Sequence, residues 1–171
     1  MNKDLLSNTS KELVFENIEK YLHLNNLKIH KKDPTRPWGG FFVIEENESE
    51  KFIELYFPHL SKEALSISGK LSPKILVVAP EKRLSWQYHH RRAEIWKLIG
   101  GKASVVTSDT DEEKEKINLN IGDIIQLKQG ERHRIVGLDG WGVIAEIWRH
   151  TDVENPSNEE DIVRIQDDFG R

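Results

Sequence analysis

Cysteine is absent from the 171-residue chain, which excludes disulfides, thiolate nucleophiles and cysteine-ligated zinc together. A metal would have to be held by His, carboxylate or amide oxygen. No apolar run approaches the ~18 residues that span a bilayer, and the opening MNKDLLSNTSKEL has no apolar segment of the kind a secretory leader carries. We therefore expect a cytoplasmic protein with no membrane partner. An excess of positive charge is also missing. With 25 basic against 29 acidic side chains, a formal charge of −4 offers no broad cationic surface to nucleic acid, so any phosphate must be met by a local cluster. The length suits one domain with appendages.

The apolar residues that are present fall into three patterns. In residues 7–27, Leu13, Ile18, Tyr21, Leu22 and Leu24 recur at helical spacing behind the candidate N-caps Ser7, Thr9 and Ser10, which predicts one amphipathic helix. Residues 28–36 are basic and read as a connector ending an N-terminal unit, 1–35. The main body, 36–171, opens with a strand over 41–44. Residues 46–72 mix charge with Phe52, Leu55 and Tyr56 and are broken by Pro58, so a short helical insertion near the mouth of the main body is expected. From Lys74 onward, short apolar runs alternate with turn signals: 74–79, 83–89, 94–99, 102–107, 115–119, 124–128, 133–136 and 143–148. Among the turns are Gly100-Gly101 and Asp139-Gly140. This rhythm predicts an all-β sandwich or barrel, since no helical crossovers separate the strands. The tail, with an apolar segment at 162–165, is expected on the outside, and the charged stretch 109–116 at a solvated hairpin tip.

The chemistry concentrates in two segments. On a strand, Arg83, Ser85, Gln87 and His89 alternate onto one face, and after a turn Glu94 shares parity with Trp96. A third strand carrying His133 could close a site on one divalent ion.

These segments resemble the paired motifs of the cupin superfamily. The first reads H-x-H-x4-E-x6-G, matched by Gln87-x-His89-x4-Glu94-x6-Gly101 with Gln in the first His position. The second reads G-x5-P-x-G-x2-H-x3-N, matched at Gly122, Gly130 and His133, with Lys128 for Pro and Gly137 for Asn. The Gln variant is similar to type II mannose-6-phosphate isomerases, including the isomerase domain of bifunctional mannose-1-phosphate guanylyltransferases. RPWGGFFVIEE, PEKRLSWQYHHRRAEIW and EDIVRIQDDFGR resemble that family's opening, core and ending in order. Arg91 stands where the family has a third His, Glu81 where it has Gly, and Ile95 where it has His.

The resemblance implies a double-stranded β-helix, or jelly-roll barrel, holding one metal through Gln87, His89, Glu94 and His133. Zinc is favoured, with manganese, nickel and iron open. The implied activity interconverts mannose 6-phosphate and fructose 6-phosphate. Glu146 is the candidate proton shuttle. Arg83 is the first candidate for the phosphate or for stabilising the enediolate, Lys74 the second, and Arg91 and Trp96 are further candidate substrate contacts. Another phosphosugar, a sugar-binding cupin without turnover, and a dioxygenase are the alternatives. The resemblance also implies a way to a homodimer, since cupins commonly pair barrels through an edge strand or an N-terminal segment such as the helix at 7–27, while the sequence itself leaves the oligomeric state open.

Overall fold

The computed structural model describes Leu6, residues 9–67 and residues 69–170. Ser10 caps helix α1 (Lys11–Leu24), its Oγ accepting from the Leu13 N–H, and Val14, Phe15, Ile18 and Leu22 form the buried face. The helix is shorter at both ends than the expected 7–27, and Ser7, another candidate cap, lies outside the described residues. The basic connector contains a strand. β1 (Ile29–Asp33) pairs antiparallel with β2 (Gly39–Ile44), with Lys31 and Lys32 ammonium groups each 5.9 Å from the rings of Phe41 and Phe42. Three successive exposed residues hide it from pattern reading, and charge is how an edge strand is commonly guarded.

Seven further strands follow: β3 (Lys74–Val78), β4 (Trp86–Tyr88), β5 (Arg92–Ser108), β6 (Ile117–Asn118), β7 (Ile124–Leu127), β8 (Arg132–His150) and β9 (Val163–Gln166). All pairings are antiparallel, in the order β1-β2-β3-β8-β4-β9, with β5 joined to β6, β7 and β8. Two expected turns are not turns. Gly100-Gly101 and Asp139-Gly140 lie inside β5 and β8, which pair with each other from Arg92↔His150 to Ser108↔Arg132. Register shifts at Leu98/Gly100 and Gly101/Ala103 mark bulges there, and a bulge bends a strand without ending it. The stretch 109–116 is exposed, as expected.

Period-two alternation separates two cores. Ile75, Val77, Val143, Ala145 and Ile147 pack outward on α1 and on α2 (Ser49–Tyr56), where Phe15 stacks on Phe42 at 5.3 Å between centroids. Leu76, Val78 and Ile144 face inward onto Trp38, Phe41, Trp96, Leu98 and Ile135. This is a cupin barrel with an N-terminal helix and a helical insertion, completed by the short α3 (Lys62–Leu65). The insertion does not sit at the mouth. Phe52, Ile53 and Tyr56 are buried in the outer core because α2 presents them to the sheet's convex side, and none of the described residues of 46–72 lines the interior cavity. The tail is also more than a covering. β9 hydrogen-bonds to β4, with Gln87 opposite Arg164.

Candidate metal centre

Register builds the centre. In β4, Gln87 lies opposite His133 of β8; along β5, Glu94 lies opposite Trp148 and Trp96 opposite Glu146; in β3, Lys74 lies opposite Glu146. These pairings bring His89, Glu94 and His133 together in the barrel interior, all nearly inaccessible to solvent, with one donor atom from each within 4.8 Å of the others. His89 Nε2 is 3.2 Å from Glu94 Oε1, and His133 Nε2 is 3.5 Å from Glu94 Oε2. Of the three, Glu94 lines a cavity of about 310 Å³, with Gln87 and Arg92 beside it, a volume within the range of small-ligand pockets.

The tautomers are set from outside the triad. His89 Nδ1 is 2.5 Å from the Asp161 carbonyl and His133 Nδ1 is 2.8 Å from the Glu131 carbonyl. Each Nδ1 therefore carries the proton and donates it, leaving the Nε2 lone pair aimed at Glu94, which is how ligating histidines are oriented. Burial, opposed by Glu94, pushes His89 down to about 3 and lowers His133 as well, so both imidazoles are neutral and ligand-competent. Burial works against the Glu94 charge too, but this carboxyl is held below its ordinary range, with the Arg92 guanidinium charged beside it and donating to its Oε1. Glu94 Oε2 and His133 Nε2 are buried with no hydrogen-bond partner. Orphaned acceptors facing each other in a closed interior are costly unless a cation joins them, so the donor set fits a divalent ion.

Glu146 lines the same cavity. Trp96 Nε1–H donates to its Oε2 at 2.8 Å and Trp148 Nε1–H to its Oε1 at 2.9 Å. Burial, then the negative charge of Glu94, raises its carboxyl above the ordinary range. Lys74 reaches the same wall, its Nζ 3.8 Å from the Trp148 ring centroid and paired with Glu159 from the tail. Gln87 lines the cavity, its Oε1 accepting from Ser85 at 2.5 Å.

Two expected residues lie elsewhere. Arg83 does not share the face of Gln87; Leu84 and Ser85 both line the cavity, and the irregular pairing around β4 breaks the assumed alternation. Its guanidinium instead grips Asp168 through Nε (2.7 Å) and Nη2 (2.9 Å). Arg91 also points away, donating to Asn155 Oδ1 at 2.6 Å. The guanidinium that touches the triad belongs to Arg92. The turn read ahead of Glu94 concealed it, but β5 starts at Arg92, so this residue shares parity with Glu94 and Trp96. Asp161 lies in the EDIVRIQDDFGR segment that resembles the family's ending and Glu159 just ahead of it, but neither position disclosed its role, because both roles come from the docking of β9.

The family described as "Mannose-6-phosphate isomerase C-terminal" matches residues 45–167. The chain belongs to this family. It is 30% identical to the alginate biosynthesis protein AlgA of Pseudomonas putida over 126 residues, 72% of this chain and 24% of that protein. It is 28% identical to the xanthan biosynthesis protein XanB of Xanthomonas campestris pv. campestris over 118 residues, 69% of this chain and 24% of that protein. The chain thus spans about a quarter of the length of these relatives. Among solved structures, recombinant oxalate oxidase superposes with a TM-score of 0.53 at 15% identity, covering 81% of this chain and 61% of that one. The capsular polysaccharide assembling protein CapF of Staphylococcus aureus gives 0.53 at 14%, covering 80% and 34%. These structural likenesses establish the cupin fold. Among the described residues no helix is long and apolar enough to cross a membrane.

Proposed function

We propose that this mannose-6-phosphate isomerase-family cupin interconverts mannose 6-phosphate and fructose 6-phosphate. The observation that carries the reading is the orphaned His133–Glu94 pair beneath a buried carboxylate held by two indole N–H groups. His89, Glu94 and His133, with Gln87 beside them, would hold the ion, and two imidazoles with one carboxylate suit zinc. Bound there, a divalent ion supplies Lewis-acid polarisation of the substrate's C1 and C2 oxygens.

Isomerisation requires a proton to leave C2 of the open-chain aldose and arrive at C1, with a base that can take it and return it. Glu146 is that base. Its raised proton affinity lets it hold the proton between the two transfers, and Trp96 and Trp148 fix both oxygens so that one carboxylate can serve neighbouring carbons. The other cavity walls carry Lys31, Arg36, Lys74, Arg92 and Arg164 against Glu94, Glu146 and Glu159, a cationic excess suited to a phosphate monoester. Lys74, the nearest of these to Glu146 in register, is the leading phosphate contact.

The test is turnover of mannose 6-phosphate by chelator-stripped protein refilled with zinc, manganese, nickel or iron in parallel. Glu146→Gln should keep its metal and lose about 10²- to 10⁴-fold in kcat, the span of general acid–base catalysis. Wild-type protein that takes up metal and binds the sugar phosphate, yet never exchanges the C2 proton with solvent, would instead be a sugar-binding cupin.

A further inference from the structure

Arg92 makes a contact that one nitrogen cannot share. Its side chain is buried and holds both members of the β4–β5 part of the triad: Nε donates to Glu94 Oε1 at 2.7 Å, and Nη2 lies 3.1 Å from His89 Nε2. Because His89 Nδ1–H is committed to the Asp161 carbonyl, the only proton-accepting atom left on that ring is Nε2. A neutral imidazole nitrogen has a single lone pair. It can accept from Arg92 or bind an ion, and not both.

We infer that Arg92 is the resident cation of the metal-free centre, and that loading the ion requires it to surrender His89. This rests on the reading of His89, Glu94 and His133 as metal ligands. Three features make the guanidinium a stable occupant. It neutralises Glu94, which would otherwise be an uncompensated buried charge. Its carbon lies 3.6 Å from the Trp148 ring centroid, a cation–π arrangement. Its Nη1 donates to Ser157 Oγ at 2.8 Å and to the Asn158 carbonyl at 3.1 Å. The last pair ties the exchange to the tail, because Asp161 accepts from Ser157 and supplies the carbonyl that fixes His89. Meanwhile His133 Nε2 and Glu94 Oε2, on the side away from Arg92, have no partner to give up. Arg92 is therefore a positioning residue that sets metal affinity.

The experiment measures zinc binding by competition with a chelating dye and thermal unfolding with and without zinc, in wild type, Arg92→Met and Arg92→Lys. Removing the competitor should tighten zinc binding about ten- to hundredfold, the effect of one hydrogen bond to a charged group. Metal-free Arg92→Met should melt lower than metal-free wild type and gain more from zinc, because Glu94 then waits for the ion alone. Arg92→Lys should fall between the two. Arg92→Met that is folded by circular dichroism and binds zinc no more tightly than wild type overturns the inference. Nitrogen NMR of wild type supplies a reading that needs no variant. Zinc should move the Arg92 Nε–H and His89 Nε2 resonances together, saturating at one equivalent, and an Arg92 resonance unmoved by saturating zinc overturns the inference as well. None of these readouts involves turnover. Zinc uptake with this exchange but without isomerisation supports the inference while removing the isomerase reading, whereas wild type and variants that bind no zinc overturn the inference.

Discussion

Arg83, at an isolated bridge ahead of β4, and Arg92, the first residue of β5, carry the same guanidinium and meet opposite surroundings. Arg83 is 38% exposed at its side chain and uses a bidentate grip on Asp168, while Arg92 is 5% exposed and faces Glu94 and His89. The consequence is a pair of substitutions with different signatures. Arg83→Ala should leave KM for mannose 6-phosphate within about twofold of wild type and cost at most ~1 kcal/mol of stability, the ceiling for a solvent-screened ion pair. Steady-state kinetics decide this, and a steep rise in KM would return Arg83 to the substrate. At this scale the sequence was informative about identity and weak about direction. The spacing Gln87-x-His89-x4-Glu94 sufficed to pick out the triad's first two members, because alternation and a tight return strand leave few other ways to converge. The same alternation misassigned Arg83, since it lies ahead of β4 in a stretch where Leu84 and Ser85 both line the cavity and strict alternation does not hold.

The long strands β5 and β8 show what an element owes to its glycines. Gly101 has φ of 70°, in the left-handed region, and a Cβ there would sit 1.8 Å from the Trp141 carbonyl oxygen of the paired strand. The residue lies at the bulge where β5 continues past Gly100, so the bend depends on a backbone that other residues reach at a cost. Gly101→Ala combines that conformational cost with a clash against backbone that cannot rotate away. It should destabilise the protein by more than about 3 kcal/mol, several times a routine surface substitution, and a urea midpoint within error of wild type would contradict this. The glycine pair was visible in the sequence. Its meaning was not, because Gly-Gly marks a hairpin turn and a bulge equally well, and only the partner strand distinguishes them. β1 escaped for a related reason: its charged, exposed residues lack any alternation, and its pairing with β2 is a long-range property.

Over the whole molecule, one sheet serves two environments. Its convex face is closed by α1 and α2, and its concave face holds the cavity, so ionisable groups on the inner side are buried deeply. Docking of β9 then brings Asp161 and Glu159 to positions that no local pattern in the tail foretells. Burial on this scale should make stability fall in acid. His150, outside the proposed ligand set, isolates the effect: it is 3% exposed, its Nε2 lies 3.3 Å from Ser72 Oγ, and burial, then the charge of Lys70, pushes it down to about 4 from 6.5. A depressed folded-state value means that the unfolded chain takes up the proton first as pH drops. Stability linked to His150 is therefore complete above pH 6.5 and is lost between 6.5 and 4. The full loss amounts to roughly 3 kcal/mol at 1.36 kcal/mol per unit. His89 and His133 are shifted in the same direction, so the wild-type slope should be steeper than His150 alone provides. His150→Gln keeps a side-chain amide near Ser72 but cannot titrate. In metal-free protein its unfolding free energy should decline less between pH 7 and 4.5 than that of wild type. Parallel profiles would show that the proton taken up on unfolding goes to other groups.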